Sequence, residues 1–237
     1  MSDDQLYRDR QHAGAELAIR LNALKGRSDV VVLGLPRGGV PVAYEVARAL
    51  GAPLDVVTAR KLGVPGHREL AMGAIAPGNV LVLDADIVAW YRIPNAAVEA
   101  VVQQERTELS RREQAYREGR APVQIRDRVV VLIDDGLATG STMKAAVQTV
   151  RAQAPARIVV AVPVGAPDTC RQFTNLVDEI VCSRMPAGFG SVGQWYRDFS
   201  QTTDEEVREL LRDAISSGSE AGGSPGPFVP QQGSGLH

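Results

Sequence analysis

The sequence predicts an α/β fold: a mostly parallel sheet flanked by helices, with a flexible flap added to it. Three observations predict this. Short apolar runs such as Val30 to Leu33 and Val129 to Ile133 are rich in β-branched residues and too short for helices. Stretches with helical spacing alternate with them. Glycines and prolines punctuate the strand ends, as at Gly34, Pro36, Gly38 and Gly39. Short apolar strands alternating with helices indicate a parallel sheet covered on its faces.

Each element follows in order. Residues from about Tyr7 to Leu24 read as a helix, with Leu17, Leu21 and Leu24 at helical spacing among charges. Val30 to Leu33 is a buried strand, and Val40 to Leu50 returns to helix. Leu54 to Thr58 is strand-like. Val129 to Ile133 is a stronger strand, followed by a Gly-rich turn and a helix from Thr142 to Gln153. Arg157 to Val162 is a strand, Pro167 to Asn175 a short helix, and Glu179 to Cys182 a strand.

Two regions depart from the alternation. Residues 61–93 are rich in Gly and Pro, with short apolar pieces at Ala74 to Ile75 and Val80 to Leu83, and are expected to form a flap or small hairpin over a site. Pro94 to Arg117 is a long polar helix, whose Glu105, Arg106, Glu108, Arg111, Arg112 and Glu113 are expected on a solvated face with spaced ion pairs. One domain is expected over residues 1–215, with the flap at about 61–93. From Ser216 to residue 237 the chain is Gly, Ser, Pro and Gln, which predicts a disordered tail.

Composition narrows the function classes. The chain has 237 residues, 44% hydrophobic and 23% charged, enough for an ordinary globular core. A formal net charge of -2 argues against a dedicated nucleic-acid binder. The longest apolar runs fall short of a membrane span, and the acidic start Ser2, Asp3, Asp4 is not that of a signal peptide. Cys170 and Cys182 are too few for a zinc site or a disulfide framework, which suits a reduced, cytoplasmic setting.

The chemistry concentrates in Val129 to Thr142. An apolar strand delivers adjacent carboxylates, Asp134 and Asp135, at its C-terminal end, the edge where parallel sheets bind ligands. Gly136, Leu137, Ala138, Thr139, Gly140, Ser141 and Thr142 follow, and then a helix begins. Small residues let backbone N–H groups approach an anion, the helix N-terminus adds partial positive charge, and the hydroxyls donate further hydrogen bonds. Such a loop suits a phosphate. Two acids beside it would repel the phosphate itself, so they fit vicinal hydroxyls or a hydrated metal instead. The plainer alternative, an Asp-Asp-Gly turn, does not explain the hydroxyl residues after it. Nor is this a Walker A loop, since the Gly-Lys-Thr is missing.

This stretch resembles the 5-phosphoribosyl-1-pyrophosphate (PRPP) signature of type I phosphoribosyltransferases. The resemblance implies that Asp134 and Asp135 take the ribose hydroxyls, while Ala138, Thr139, Gly140, Ser141 and Thr142 take the 5′-phosphate. Leu35 to Pro41, with Arg37, Gly38 and Gly39, is similar to the family's pyrophosphate loop, which implies a cis peptide at Pro36–Arg37 or Arg37–Gly38. Arg60 and Lys61 match the family's cation after the second strand, and His67, Arg68 and Glu69 fall in the flap. Phe189, Trp195, Tyr196 and Phe199 cluster after the last strand of a chain that is only 5% aromatic. They resemble the hood of purine salvage enzymes, which implies a small hood at about 184–203, with Phe189 and then Trp195 as candidates to stack on a base. Gly188 to Gly193 matches G-x-G-x-x-G but does not open a βαβ unit, so it is set aside.

Taken together, residues 7–212 resemble a bacterial subgroup of phosphoribosyltransferase-domain proteins. The resemblance implies a Mg²⁺-dependent transfer of phosphoribose from PRPP to a nitrogenous acceptor, a nucleobase by the family's habit. Arg37, Lys61, Asp134 and Asp135 would be catalytic, with Mg²⁺ held through PRPP and water rather than by the protein directly. The expected partners are PRPP, a small-molecule acceptor and a second copy in a homodimer, with no membrane and no nucleic acid. Ala138 stands where 6-oxopurine enzymes carry an acid, so the acceptor stays open. The alternative function is a PRPP- or nucleotide-sensing regulator without turnover.

Overall fold

The computed structural model describes residues 6–77 and 80–220. Its main sheet has five parallel strands: β1 (Val30–Gly34), β2 (Leu54–Val56), β6 (Val129–Ile133), β7 (Arg157–Val164) and β8 (Glu179–Arg184), in the order β2-β1-β6-β7-β8. The central strands β1 and β6 are buried at every position. Alternate residues face opposite cores, as the two-residue strand period requires. Val30 and Val32 of β1, with Val129, Val131 and Ile133 of β6, meet α1 (Arg10–Arg20), α2 (Gly39–Leu50) and α7 (Asp204–Glu220). Val31, Leu33, Val130 and Leu132 meet α5 (Ser141–Arg151) and α6 (Pro167–Phe173). Burial on both faces is why these strands read as unbroken apolar runs.

Several boundaries differ from the sequence reading. The first helix is shorter than Tyr7 to Leu24, because Asp9 caps it by accepting the His12 N–H, and a separate 3-10 turn covers Asn22–Leu24. β2 ends at Val56 rather than Thr58, and β7 runs on to Val164. The last helix, α7, has no counterpart in the sequence reading. It continues through Glu220, so the boundary expected at Ser216 falls inside it. Residues 221–237 of the expected tail lie outside the described residues.

Residues 60–117 form a compact layer of their own. β3 (Arg60–Val64), β4 (His67–Ala76) and β5 (Val80–Leu83) make an antiparallel sheet in that order, with β4 carrying extra residues where it passes Leu62 to Val64 of β3. The short helix α3 (Ala85–Trp90) follows, with Asp84 accepting the Asp86 and Ile87 N–H groups. α4 (Asn95–Arg117) is polar yet not wholly solvated. Val98, Val102 and Leu109 pack on Leu62, Val64, Met72 and Ile75, while Tyr116 enters the main core. Its charges pair along the helix, as in Glu108 with Arg111 and Arg112 and Glu113 with Arg117. The other sheet face packs Ala74 and Ala76 against Ala145 of α5. The expected flap is therefore a sheet held between two helices.

Candidate active site

The strand ends of β1 and β6 bring two loops into contact. Leu35 N–H donates to the Ile133 carbonyl at 2.8 Å, which continues the ladder just past the strands. The loop after β1 carries a cis peptide at Pro36–Arg37, one of the two positions expected. Gly38 and Gly39 then lie directly on the acids of the loop after β6. A Cβ on Gly38 would collide with Asp135 Oδ2 and stand 2.8 Å from its Cγ. A Cβ on Gly39 would stand 2.7 Å from the Ile133 carbonyl oxygen and 2.8 Å from Asp134 Cα. The two motifs, about a hundred residues apart in sequence, thus form one surface.

The loop after β6 is braced by α6 and by the end of β7. Leu137 N–H donates to the Val164 carbonyl at 2.9 Å, and Ala166 N–H to the Leu137 carbonyl at 2.8 Å. Thr169 Oγ1 donates to the Ala138 carbonyl at 2.6 Å. Gly140 takes φ +73°, and a Cβ there would stand 2.7 Å from the Phe173 ring. Only glycine satisfies both conditions at no cost. α5 begins at Ser141, so the first N–H groups of the helix open toward Thr139 to Thr142. Ala138 and Thr139 are exposed, Ser141 and Thr142 half-buried, and the Thr139 and Ser141 hydroxyls lie 3.4 Å apart. A helix start with hydroxyl donors beside it is the kind of geometry that suits an anion.

The acids are held differently from each other. Asp134 Oδ1 accepts the Asp135 N–H at 2.9 Å. Asp135 Oδ2 accepts Arg10 Nε at 2.9 Å, and its carbonyl accepts the Tyr196 hydroxyl at 2.6 Å. Burial and then the neighbouring Asp135 charge push the Asp134 carboxyl well above the usual carboxylate range. Burial also raises Asp135, against the opposing pull of Arg10. Two adjacent half-buried acids do not both ionise freely, and the arginine favours the charge on Asp135.

The expected cations are placed less uniformly. Arg37 leans toward Asp204 at 3.9 Å, and Asp204 also accepts the Tyr116 hydroxyl at 2.7 Å. Lys61 is exposed on β3 opposite Ala74, so it lies on the sheet face that covers α5. Arg60 points the other way and pairs with Glu105 of α4. A cavity of about 500 Å³ lies between β3 and α4 and is bounded by both Arg60 and Lys61, with Gln104, Glu105 and Arg112. Asp134 and Asp135 do not line it. Among the described residues, no group of three or more His, Cys, Asp or Glu side chains is placed to hold a metal, and no helix is long and apolar enough to cross a membrane.

The hood aromatics are mostly structural. Trp195 is 7% exposed and packs with Tyr7, Ala13, Val164 and Tyr196, so it offers little ring face to a base. Phe189 is half-buried against the same cluster. The N-terminal segment joins the hood: Tyr7 N–H donates to the Trp195 carbonyl, and Arg197 N–H to the Tyr7 carbonyl. Arg10 and Tyr196 were not singled out as site residues from sequence. Their partner, Asp135, lies 125 and 61 positions away, beyond any local pattern.

An antiparallel layer, a hood and two anion-shaped loops at the carboxyl edge of a five-stranded parallel sheet define a phosphoribosyltransferase-type protein. The sequence comparisons agree. The phosphoribosyl transferase domain family matches residues 2–182, and the chain belongs to that family. Two Mycobacterium tuberculosis chains, from strains H37Rv and CDC 1551 and named only provisionally as phosphoribosyl transferases, are 49% identical over 218 residues, 92% of this chain. The chain spans about half the length of these curated relatives, 49% of each. The crystal structure of TT1426 from Thermus thermophilus is similar at a TM-score of 0.75, with 44% identity, 88% of this chain and 98% of that one covered.

Proposed function

We propose that this protein binds PRPP across the two loops and transfers its phosphoribosyl group to a nitrogenous acceptor, a nucleobase, releasing pyrophosphate. The observation that carries this reading is the contact of Gly38 and Gly39 with Asp135 and Asp134. A donor with a phosphate at one end, a diol in the middle and a pyrophosphate at the other matches that sequence of groups.

In this reading the backbone and hydroxyls of Ala138 to Thr142 hold the 5′-phosphate at the start of α5. Asp134 and Asp135 accept hydrogen bonds from the ribose hydroxyls and offset the positive charge that develops at the anomeric carbon. The Gly38–Gly39 backbone approaches the pyrophosphate, and Arg37 and Lys61 stabilise the negative charge that builds on it as the bond breaks. Arg37 reaches it by leaving Asp204, a move made inexpensive by the 3.9 Å separation and by partial exposure. A ring nitrogen of the acceptor attacks the anomeric carbon as pyrophosphate leaves. Bound Mg²⁺ would supply charge neutralisation on the pyrophosphate. The acids fit it through water and the donor's oxygens, since Asp135 is already engaged with Arg10.

The test is incubation with PRPP and Mg²⁺ against a panel of purine and pyrimidine bases, following pyrophosphate release and nucleotide formation. Turnover on at least one base is expected. Binding of PRPP with no turnover on any base would sink the transferase and favour a PRPP-sensing regulator, a reading to which the buried face of Trp195 lends some weight.

A further inference from the structure

Arg10 sits at the start of α1, far in sequence from either loop, yet it is 12% exposed and reaches the acid pair. Its guanidinium makes three contacts of different kinds. Nε donates to Asp135 Oδ2 at 2.9 Å, Nη1 donates to the Ser200 carbonyl at 2.7 Å, and the Phe199 ring lies 4.0 Å from its central carbon. Phe199 in turn stacks at 5.1 Å on Tyr196, whose hydroxyl donates to the Asp135 carbonyl. Both ends of Asp135, carboxylate and carbonyl, are therefore tied to the hood and the N-terminal helix.

The same carboxylate touches the other loop. Asp135 Oδ2 lies where a Gly38 Cβ would be, and Arg10 Nε lies 3.1 Å from that point. Arg10 is thus held at the junction of both loops without pointing at the phosphate cradle of Thr139 to Thr142. Its donors are already shared between Asp135 and Ser200. A charge-assisted hydrogen bond to a carboxylate fixes direction as well as charge.

We propose that Arg10 is the positioning residue of the diol-binding pair: it aims the Asp135 carboxylate and ties that acid to the N-terminal helix and the hood. The inference rests on the reading that Asp135 holds the ribose. Three titratable or charged groups face Asp135: Asp134 from its own loop, Arg10 from α1 and Tyr196 from the hood. Of these, Arg10 alone is positive. With Arg10 removed, burial acts on Asp135 opposed only by its backbone hydrogen bond, and its free carboxylate oxygen loses its orientation toward a hydroxyl.

The experiment uses the full chain and its Arg10→Ala, Arg10→Gln and Arg10→Lys variants, with two readouts. The first is titration of the Asp135 carboxyl carbon by NMR. Arg10→Ala and Arg10→Gln should move that titration to higher pH, and Arg10→Lys should move it back toward the wild type. The second is PRPP affinity in Mg²⁺ buffer, expected to fall about tenfold or more in Arg10→Ala, the scale of one lost charged hydrogen bond. Arg10→Gln, which keeps the aliphatic stem but loses the charge and the terminal nitrogens, reads the same effect if the alanine variant folds poorly. Weaker PRPP binding with an unmoved Asp135 titration would mark Arg10 as a packing residue and overturn the proposal. So would unchanged binding in all three variants. If the wild-type protein itself does not bind PRPP, the proposed function fails, while the carboxyl titration still decides whether Arg10 controls Asp135.

Discussion

Gly38 and Gly39 are neighbours with different expected costs, and the difference follows from what each touches. Gly39→Ala places a Cβ 2.7 Å from the Ile133 carbonyl oxygen and 2.8 Å from Asp134 Cα. Both are backbone atoms of a central strand and its exit, so neither can turn away. Forcing such overlap into a packed site costs about 1–3 kcal/mol. The better helix propensity of alanine returns at most about 1 kcal/mol, and less at the first position of α2. For a chain of this size, a net loss of about 1–2 kcal/mol lowers the melting midpoint by roughly 2–8 °C. Gly38→Ala meets the carboxylate of Asp135 and Arg10 Nε instead. These are side-chain ends that can rotate, and Gly38 already has φ -62°, which alanine adopts freely. Gly38→Ala should therefore leave backbone packing intact and lose stability only through the Arg10–Asp135 hydrogen bond, about 1.5–3 kcal/mol. Its damage should appear in binding as well, because the added methyl drives Asp135 away from Arg10 and narrows the space between the loops. Differential scanning fluorimetry and calorimetric titration with PRPP measure the two effects. A Gly38→Ala protein that binds PRPP like the wild type would refute the argument that these loops share the ligand. A Gly39→Ala protein with an unchanged midpoint would refute the packing argument.

Two further predictions concern the same loop. Asp134→Asn should bind PRPP more weakly yet melt higher than the wild type at neutral pH. The Asp134 carboxyl is raised in the folded chain, so between its unfolded and folded values the unfolded state gives up its proton first, and stability falls as pH rises through that window. The asparagine has no such penalty, and its fluorimetric midpoint should be flatter from acid to neutral pH; a lower midpoint at neutral pH would contradict this. Thr169→Val removes the 2.6 Å hydrogen bond to the Ala138 carbonyl with little change of shape. It should cost about 0.5–1.5 kcal/mol of stability and weaken competition by inorganic phosphate, measured by displacement of PRPP. Unchanged phosphate affinity would mean that α6 does not brace the loop.

The sheet was legible because its strands are buried on both faces and so stand out as short apolar runs. Val129 to Ile133 needs no partner to be recognised, and the acids and hydroxyls after it carry their own local pattern. The antiparallel layer was legible only in fragments. β4 mixes His67, Ala71, Gly73 and Ala74 in one strand, because its faces meet different neighbours, α4 on one side and α5 on the other. Small residues suit the close approach to Ala145 but weaken any alternation. Tyr116 and Leu109 make the same point for α4, whose few buried residues lie among many charges that pair with one another. The packing of the hood aromatics was not legible locally. Their place on a Gly-rich segment made Phe189 and Trp195 candidates to stack on a base, and the structure packs Trp195 and Tyr196 against the N-terminal residues around Tyr7. That contact joins the two ends of the domain, and no window along the chain contains both.

The acid pair shows why the least legible residue matters to the most legible motif. Adjacent carboxylates at the end of a buried strand repel each other and lose hydration, so neutralising one of them is the cheapest response of an unassisted loop. Two neutral acids would hydrogen-bond a diol less strongly than charged ones and would do less for a cation-like anomeric carbon. The motif alone therefore does not guarantee its chemistry. A positive group must reach the pair without occupying the ligand's place. In this fold the group comes from the N-terminal helix, passes beside a residue that has no side chain, and is held from behind by Ser200 and Phe199. The glycine at position 38 clears the path along which Arg10 meets Asp135, and in the proposed reading the same missing side chain would let the backbone approach the pyrophosphate.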